Sequence, residues 1–289
     1  MSFSSEVKWE LCKMRHTKSC CLTAECAGML LFSRHLSEEK ISFYTDYSDV
    51  AEHLCFLLKK RMKVNFEHIV TDGGVNKVTV PESEDRKLVV SKLKSGDKPA
   101  DNLIRNDCCV SAFLRGVFLS CGFLTDPNKE YRLEFLCPSK KMAQYLFGFL
   151  SGIIENPKMV ERDGTYYVYY KHSAAVEDML TLVGAVNASL AVMEIKVEKD
   201  MRNKINRVSN FENANFVKTV HASGDQTAAI NKIIEKGLLD TLTDPLKEAA
   251  ILRRDNPEAS LSQLCQISGC SRSGLNHRLK RLIEIADSI

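Results

Sequence analysis

The sequence predicts an α+β chain in two parts: a duplicated helix-and-strand domain at residues 1–182, then an all-α domain ending in a helix-turn-helix. Three observations predict it. A Gly-centred helical pattern recurs at a fixed offset. Each copy is followed by the same order of strand, helix and hairpin. From Leu261 onward, strand signals give way to short helices separated by a glycine turn.

The bulk composition frames this reading. A chain of 289 residues with 44% hydrophobic and 27% charged residues is an ordinary globular protein with room for two cores. The formal charge of +3 is nearly balanced, so only its distribution can bear on nucleic acid. The opening residues carry Glu6 and no basic flank before an apolar run, which is not the pattern of a signal peptide. No stretch reaches the roughly 18 apolar residues of a membrane helix, and a cytoplasmic, nucleoid-associated protein is expected. The eleven cysteines read as reduced thiols, with Cys26, Cys55, Cys121 and Cys265 inside periodic apolar segments. Cys20-Cys21 and Cys108-Cys109 are adjacent pairs, and Cys265 and Cys270 are five apart. None has the C-x-x-C spacing of a zinc site, so these too read as core filler, and no metal or cofactor is expected.

The repeat pairs Cys20-Cys21…Ala24…Gly28…Leu31 with Cys108-Cys109…Ala112…Gly116…Leu119, at a constant offset of 88 residues, and matches Thr23 with Ser111. Each copy reads as a helix with small residues on one face. Glycine in a helix interior costs roughly 1 kcal/mol against alanine, which close helix–helix contact about a pseudo-twofold axis would offset. After the first copy come a strand at Lys40–Thr45, a helix near Val50–Met62, and a hairpin turning at Asp72-Gly73-Gly74. After the second come a strand at Tyr131–Phe135, a helix from about Lys140 to Ile154, and a hairpin turning at Asp163-Gly164.

This arrangement resembles the LAGLIDADG homing-endonuclease fold, with the nine-residue motif falling on Cys26–Arg34 and Leu114–Gly122. In active members, the acid at the eighth motif position binds the divalent metal used for strand cleavage. Here that position is Ser33 in one copy and Cys121 in the other, and the sixth is Leu31 and Leu119. A serine and a thiol do not hold Mg2+. Glu38, Glu39 and Asp126 lie off the motif and read as solvated charges. The resemblance therefore implies the fold without the cleavage, and no catalytic residue is assigned.

The last domain, expected at 223–289, begins with a helix at Asp225–Lys236 ended by Gly237 and another at Leu246–Arg254, with Pro245 in its first turn and Pro257 beyond its end. Leu261, Leu264 and Ile267 give a short apolar face capped by Ser260. Gly269 supplies the turn, and Ser271 caps a second helix with Leu275, Leu279, Leu282 and Ala286 toward the core. The outward face offers Arg272, Ser273, Asn276, His277 and Lys280, with Arg278 and Arg281 beside it. Between Ser271 and Leu282 there is no acid. Arg can donate to guanine and Asn can pair with adenine. Residues in the first turn of a recognition helix meet base edges, which nominates Arg272, Ser273 and Asn276 for bases and leaves Arg278, Lys280 and Arg281 for phosphate. The competing account is a helical hairpin with a basic rim.

Between the domains, residues 183–222 contain an Asn- and base-rich segment, Arg202-Asn203…Asn206-Arg207…Asn210…Lys218. Asparagine is a middling helix former, so an ordinary surface helix accounts poorly for it. Amides with arginine suit phosphate and base contact through Arg202, Asn203, Asn206 and Arg207, and a polar linker is the alternative. That segment, the opening Ser2-Phe3-Ser4-Ser5-Glu6-Val7-Lys8 and the tail Ser273-Gly274-Leu275-Asn276-His277-Arg278-Leu279 resemble the WhiA family along essentially the whole chain. The resemblance implies a non-catalytic, sequence-specific regulator of transcription that binds double-stranded DNA. It ties that regulator to cell division, chromosome segregation and, in spore formers, sporulation, with another transcription factor or RNA polymerase as candidate partner. Its helix-turn-helix is similar to the promoter-reading region of sigma factors. Phe211 stands where the family usually has Cys, which weakens a redox role there. The other functional classes are a non-specific nucleoid or division scaffold and a residual nuclease.

Overall fold

The chain opens on a helix capped by its own serine. In the computed structural model, which describes residues 2–14, 17–96, 98–100 and 102–289, the Ser2 hydroxyl accepts from the Ser5 N–H at 3.2 Å, and α1 runs Phe3–Lys13. Val7 and Leu11 bury one face of it. This helix escapes a sequence reading that treats the N-terminus only as a possible targeting segment.

The two copies then follow in the expected order. The first is α2 (Ser19–Leu31), β1 (His35–Leu36), β2 (Ile41–Thr45), α3 (Ser48–Leu57) with a π-helical turn at Leu58–Met62, and the hairpin β3 (Glu67–Val70) and β4 (Asn76–Thr79). A helix, α4 (Ser83–Leu93), and a two-residue pair, β5 (Lys94–Ser95) with β6 (Lys98–Pro99), separate it from the second. That copy is α5 (Asp107–Cys121), β7 (Gly122–Leu124), β8 (Leu133–Cys137), α6 (Lys140–Ser151), β9 (Lys158–Arg162) and β10 (Thr165–Tyr170). The antiparallel sheets have matching orders, β1-β2-β4-β3 and β7-β8-β10-β9. Ile41, Phe43 and Val78 are buried in the first sheet, whose β2 and β4 pack against α3, and Leu133, Phe135 and Val168 in the second, whose β8 and β10 pack against α5 and α6.

The axis of the unit is the α2–α5 pair. Ala24, Gly28, Ala112 and Gly116 face each other at a distance that leaves no room for side chains, because a Cβ on either glycine would lie within 2.3 Å of the opposing backbone. The predicted pseudo-twofold contact is therefore real. The helix α7 (Ser173–Val183) then closes on Gly184, whose φ of 93° is accessible to few other residues.

Residues 183–222 depart from the expectation of a non-helical linker. α8 runs unbroken from Val186 to Glu235. Asparagine costs only a few tenths of a kcal/mol against the better helix formers. No proline interrupts the run, and Gly224 is its single glycine. Both ends are held by packing: Ala188 and Val192 are buried near the start, and Ile230 and Ile233 near the end. Anchored ends and the absence of a breaker outweigh middling propensity. The chain divides into compact units at Met1–Lys199 and Asp200–Ile289, within this helix.

In the second unit, Ala229, Ile230 and Ile233 pack with Ala249 and Ala250 of α9 (Asp244–Asp255), Leu264 of α10 (Leu261–Ser268), and Leu275, Leu279, Leu282 and Ala286 of α11 (Arg272–Asp287). Ser260 and Gln263 form a reciprocal capping box, and Gly269 takes a φ of 67° at the turn. One expectation fails: Ile267 is 59% exposed. Leu264 is the buried residue of α10, with Leu261 and Cys265 half-buried and packed beside it, and Ile267 points well away from that side.

Candidate nucleic-acid interface

α11 is organised by its core side. Leu275, Leu279, Leu282 and Ala286 are at most 2% exposed, which fixes the helix in rotation and turns the opposite face outward. Ser271 caps the helix, its hydroxyl accepting from the Gly274 N–H at 3.2 Å, and is itself exposed. Arg272, Ser273, His277, Lys280 and Arg281 are exposed, and Asn276 and Arg278 half-buried. Two basic residues are partly committed. Arg281 pairs with Glu284 at 2.6 Å, and Arg278 donates to the Cys270 sulfur at 3.6 Å beside the turn. Arg278 thus lies on the flank of the helix away from Lys280.

On α8, Arg202, Asn203, Asn206 and Arg207 fall on one helical face and all are exposed, with the Arg207 Nε donating to the Asn203 carbonyl at 3.3 Å. The opposite side carries an exposed apolar stripe, Met201, Ile205 and Val208. From Arg207 to Ala229, where the helix meets the second core, the axis rises about 33 Å at about 1.5 Å per residue. The two sets of predicted residues therefore stand on different helices of the same unit.

The motif positions that would hold metal in a nuclease are turned inward. The Ser33 hydroxyl donates to the Leu30 carbonyl at 2.6 Å, and the Cys121 thiol to the Val117 carbonyl at 3.4 Å. Burial pushes the Cys121 thiol well above its ordinary range. Beside it stands Lys8 of α1, a residue that sequence reading passed over. Its Nζ donates to the Leu119 carbonyl at 3.4 Å and lies 4.8 Å from the Tyr47 ring centre. Burial drives this ammonium down to about 8, against the opposing pull of Cys121, Cys12 and Asp46. Asp126 is held by the backbone and side-chain N–H groups of Asn128, which lower its pKa, and Glu38 and Glu39 are exposed. An ammonium where carboxylates would sit opposes a divalent cation.

Two further clusters lie in the helix pair. Glu25 Oε1 is 2.9 Å from His53 Nε2 and 4.0 Å from Arg115, whose Nε donates to the Val183 carbonyl at 2.8 Å; all three residues are buried. Their separation in sequence hid them. The second cluster gathers the paired cysteines, which lie in and against the core as expected of core filler: the sulfurs of Cys20, Cys21, Cys108 and Cys109 all lie within 4.8 Å of one another. Spacing along one segment cannot reveal a cluster assembled by two helices 88 residues apart.

The chain has counterparts among known proteins. The profile described as the WhiA LAGLIDADG-like domain matches residues 110–202, and that of the WhiA C-terminal HTH domain matches residues 205–286. The crystal structure of full-length WhiA from Thermotoga maritima superposes with a TM-score of 0.64 at 24% identity, covering 100% of this chain and 99% of that one. A probable cell division protein WhiA from Alkaliphilus metalliredigens is 34% identical over 310 residues, covering 99% of this chain and 98% of the relative. One of the same name from Bacillus velezensis is 33% identical over 308 residues, with 100% and 97% covered. Likeness at this level along both whole chains, with the two domain profiles in order, places the chain in the WhiA family.

Proposed function

We propose that the chain is a sequence-specific, non-catalytic DNA-binding regulator acting in cell division. The observation that carries this is the exposed face of α11. From Ser271 to Leu282 it presents Arg, Ser, Asn, His and Lys with no acid, at the second helix of a helix-turn-helix. In this reading Arg272, Ser273 and Asn276 meet base edges, with Ser271 and His277 beside them, and Lys280, Arg278 and Arg281 hold phosphate. Arg202, Asn203, Asn206 and Arg207 lie about 33–40 Å along α8 from Ala229 at about 1.5 Å per residue. Their exposure at that distance supports a second backbone contact. The link to division rests on the family, whose relatives carry that name; action on transcription, through a second factor or RNA polymerase, and roles in chromosome segregation and sporulation extend it. A cytoplasmic, nucleoid-associated location goes with this reading, and no helix among the described residues is long and apolar enough to cross a membrane.

The test is genome-wide mapping of bound DNA, followed by titration of the recovered sites and random duplex across salt. A regulator prefers its sites by the thousandfold or more typical of specific binders. Equal affinity for both would move the protein to the class of non-specific nucleoid scaffolds.

A further inference from the structure

The four sulfurs of Cys20, Cys21, Cys108 and Cys109 point to a second site in this protein: we infer that they form a tetrathiolate zinc centre joining the two halves at their pseudo-twofold axis. Cys20 and Cys21 are the second and third residues of α2, and Cys108 and Cys109 are the second and third of α5. The duplication thus places an identical pair at the start of each central helix. Packing of those helices through Gly28 and Gly116 brings the pairs together.

The geometry suits one small ion. Four ligands at the zinc–thiolate distance of about 2.3 Å form a tetrahedron with edges of about 3.8 Å. Cys20 and Cys21 stand 3.9 Å apart, and no two of the four sulfurs exceed 4.8 Å. A disulfide needs about 2.05 Å, so the Cys20 and Cys21 sulfurs are not bonded. A polynuclear iron–sulfur cluster would spread its thiolates wider than one ion does. Two of the cysteines are buried and two half-buried, and all four positions of a tetrahedron are filled by protein. That is the mark of a structural centre, with no open position for chemistry.

The electrostatics suit it as well. Loading exchanges the thiol protons for Zn2+, with no change of oxidation state, and leaves a net double negative charge. Both pairs sit in the first turn of a helix, where unpaired backbone N–H groups and the dipole favour anions at two helix ends at once. Arg115 lies within electrostatic reach of Cys21.

Full-length protein prepared reduced and without chelators is analysed for bound metal by mass spectrometry. Stripped, reduced protein is then titrated with Co2+. The centre predicts one zinc per chain and a cobalt spectrum with thiolate charge transfer and the intense visible bands of tetrahedral coordination. Cys20→Ser with Cys108→Ser should lose both signals, and Cys265→Ser with Cys270→Ser should keep both. The cobalt titration reads the wild-type chain, so a variant that fails to fold does not decide the matter. Folded, reduced wild type that takes up neither metal overturns the inference. So does a disulfide among the four in freshly prepared protein, an iron–sulfur chromophore, or metal retained by the Cys20/Cys108 variant.

Discussion

Gly28 and Gly116 occupy each other's backbones. A Cβ on Gly28 would stand 2.2 Å from the Phe113 carbonyl oxygen, and one on Gly116 would stand 2.1 Å from that of Glu25. Glu25 and Phe113 are themselves equivalent through the 88-residue offset, so the contact is reciprocal about the pseudo-twofold. The opposing atoms are backbone and cannot move aside as a side-chain tip can.

Replacing Gly116 by leucine, or by alanine as the milder form, should therefore force the central helices apart. Overpacking of a tight contact costs about 1–3 kcal/mol, and a clash with backbone belongs at the upper end or beyond. Thermal melting followed by circular dichroism measures it. A Gly116→Ala chain that melts at the wild-type temperature would show that the helices separate without cost and that the glycines are incidental.

Lys8 makes the stability of the first unit depend on pH in a defined direction. Its pKa falls from 10.5 to about 8 on folding, so between those values the unfolded chain holds the proton that the folded chain has released. Stability contributed by this group thus rises with pH across that window, and the full burial cost is present below about 8. Lys8→Met should stabilise the fold most near neutral pH, by on the order of 3 kcal/mol, read as a rise in melting temperature. The advantage should shrink as pH approaches 10.5. Buried thiols also titrate there, so the quantity to read is the difference between variant and wild type. A difference flat in pH would assign the effect to packing alone.

Strand cleavage should be absent. Ser33 and Cys121 spend their polar atoms on helix carbonyls, and Lys8 stands beside Cys121. Supercoiled plasmid incubated with the purified chain and Mg2+ or Mn2+ should remain supercoiled. Metal-dependent nicking that follows the protein through purification and survives Cys121→Ala would reveal a nuclease with its carboxylates elsewhere.

The parts of this molecule legible in the sequence are those governed by local period or by repetition. Leu275, Leu279, Leu282 and Ala286 recur at the spacing of one helix face, and all are buried. Ala24, Gly28, Ala112 and Gly116 were legible because close approach of two backbones admits few residue types. The misses arise where distant segments meet or where anchoring overrides propensity. Nothing local marks Lys8 as the partner of a carbonyl 111 residues away, or joins Glu25 to His53 and Arg115. The Asn-rich run, weighed by propensity alone, gave no sign that packing at its two ends would keep α8 continuous. Ile267 looked apolar enough for the core, yet its angle on the short α10 leaves it outside.

The division of labour on α11 is the prediction that tests the proposed function most directly. Arg272 and Ser273 open the helix, and Asn276 lies one turn further along, half-buried. Lys280 stands two turns in, on the exposed face, where a recognition helix leaves the base edges and runs out along the backbone. Arg272→Ala should cost about 1–3 kcal/mol on the preferred site and relax the choice at one base pair. Lys280→Ala should weaken all duplexes alike and reduce the salt slope by about one. Arg278, turned toward Cys270, and Arg281, paired with Glu284, should matter less than Lys280, because each must give up an internal partner to reach phosphate. Fluorescence anisotropy on specific and random duplexes across salt separates these outcomes. Equal losses on both duplexes for Arg272→Ala and Lys280→Ala would reject the division. Wild-type binding in both variants would move the contact to Arg202, Asn203, Asn206 and Arg207, whose replacement on α8 is then the next measurement.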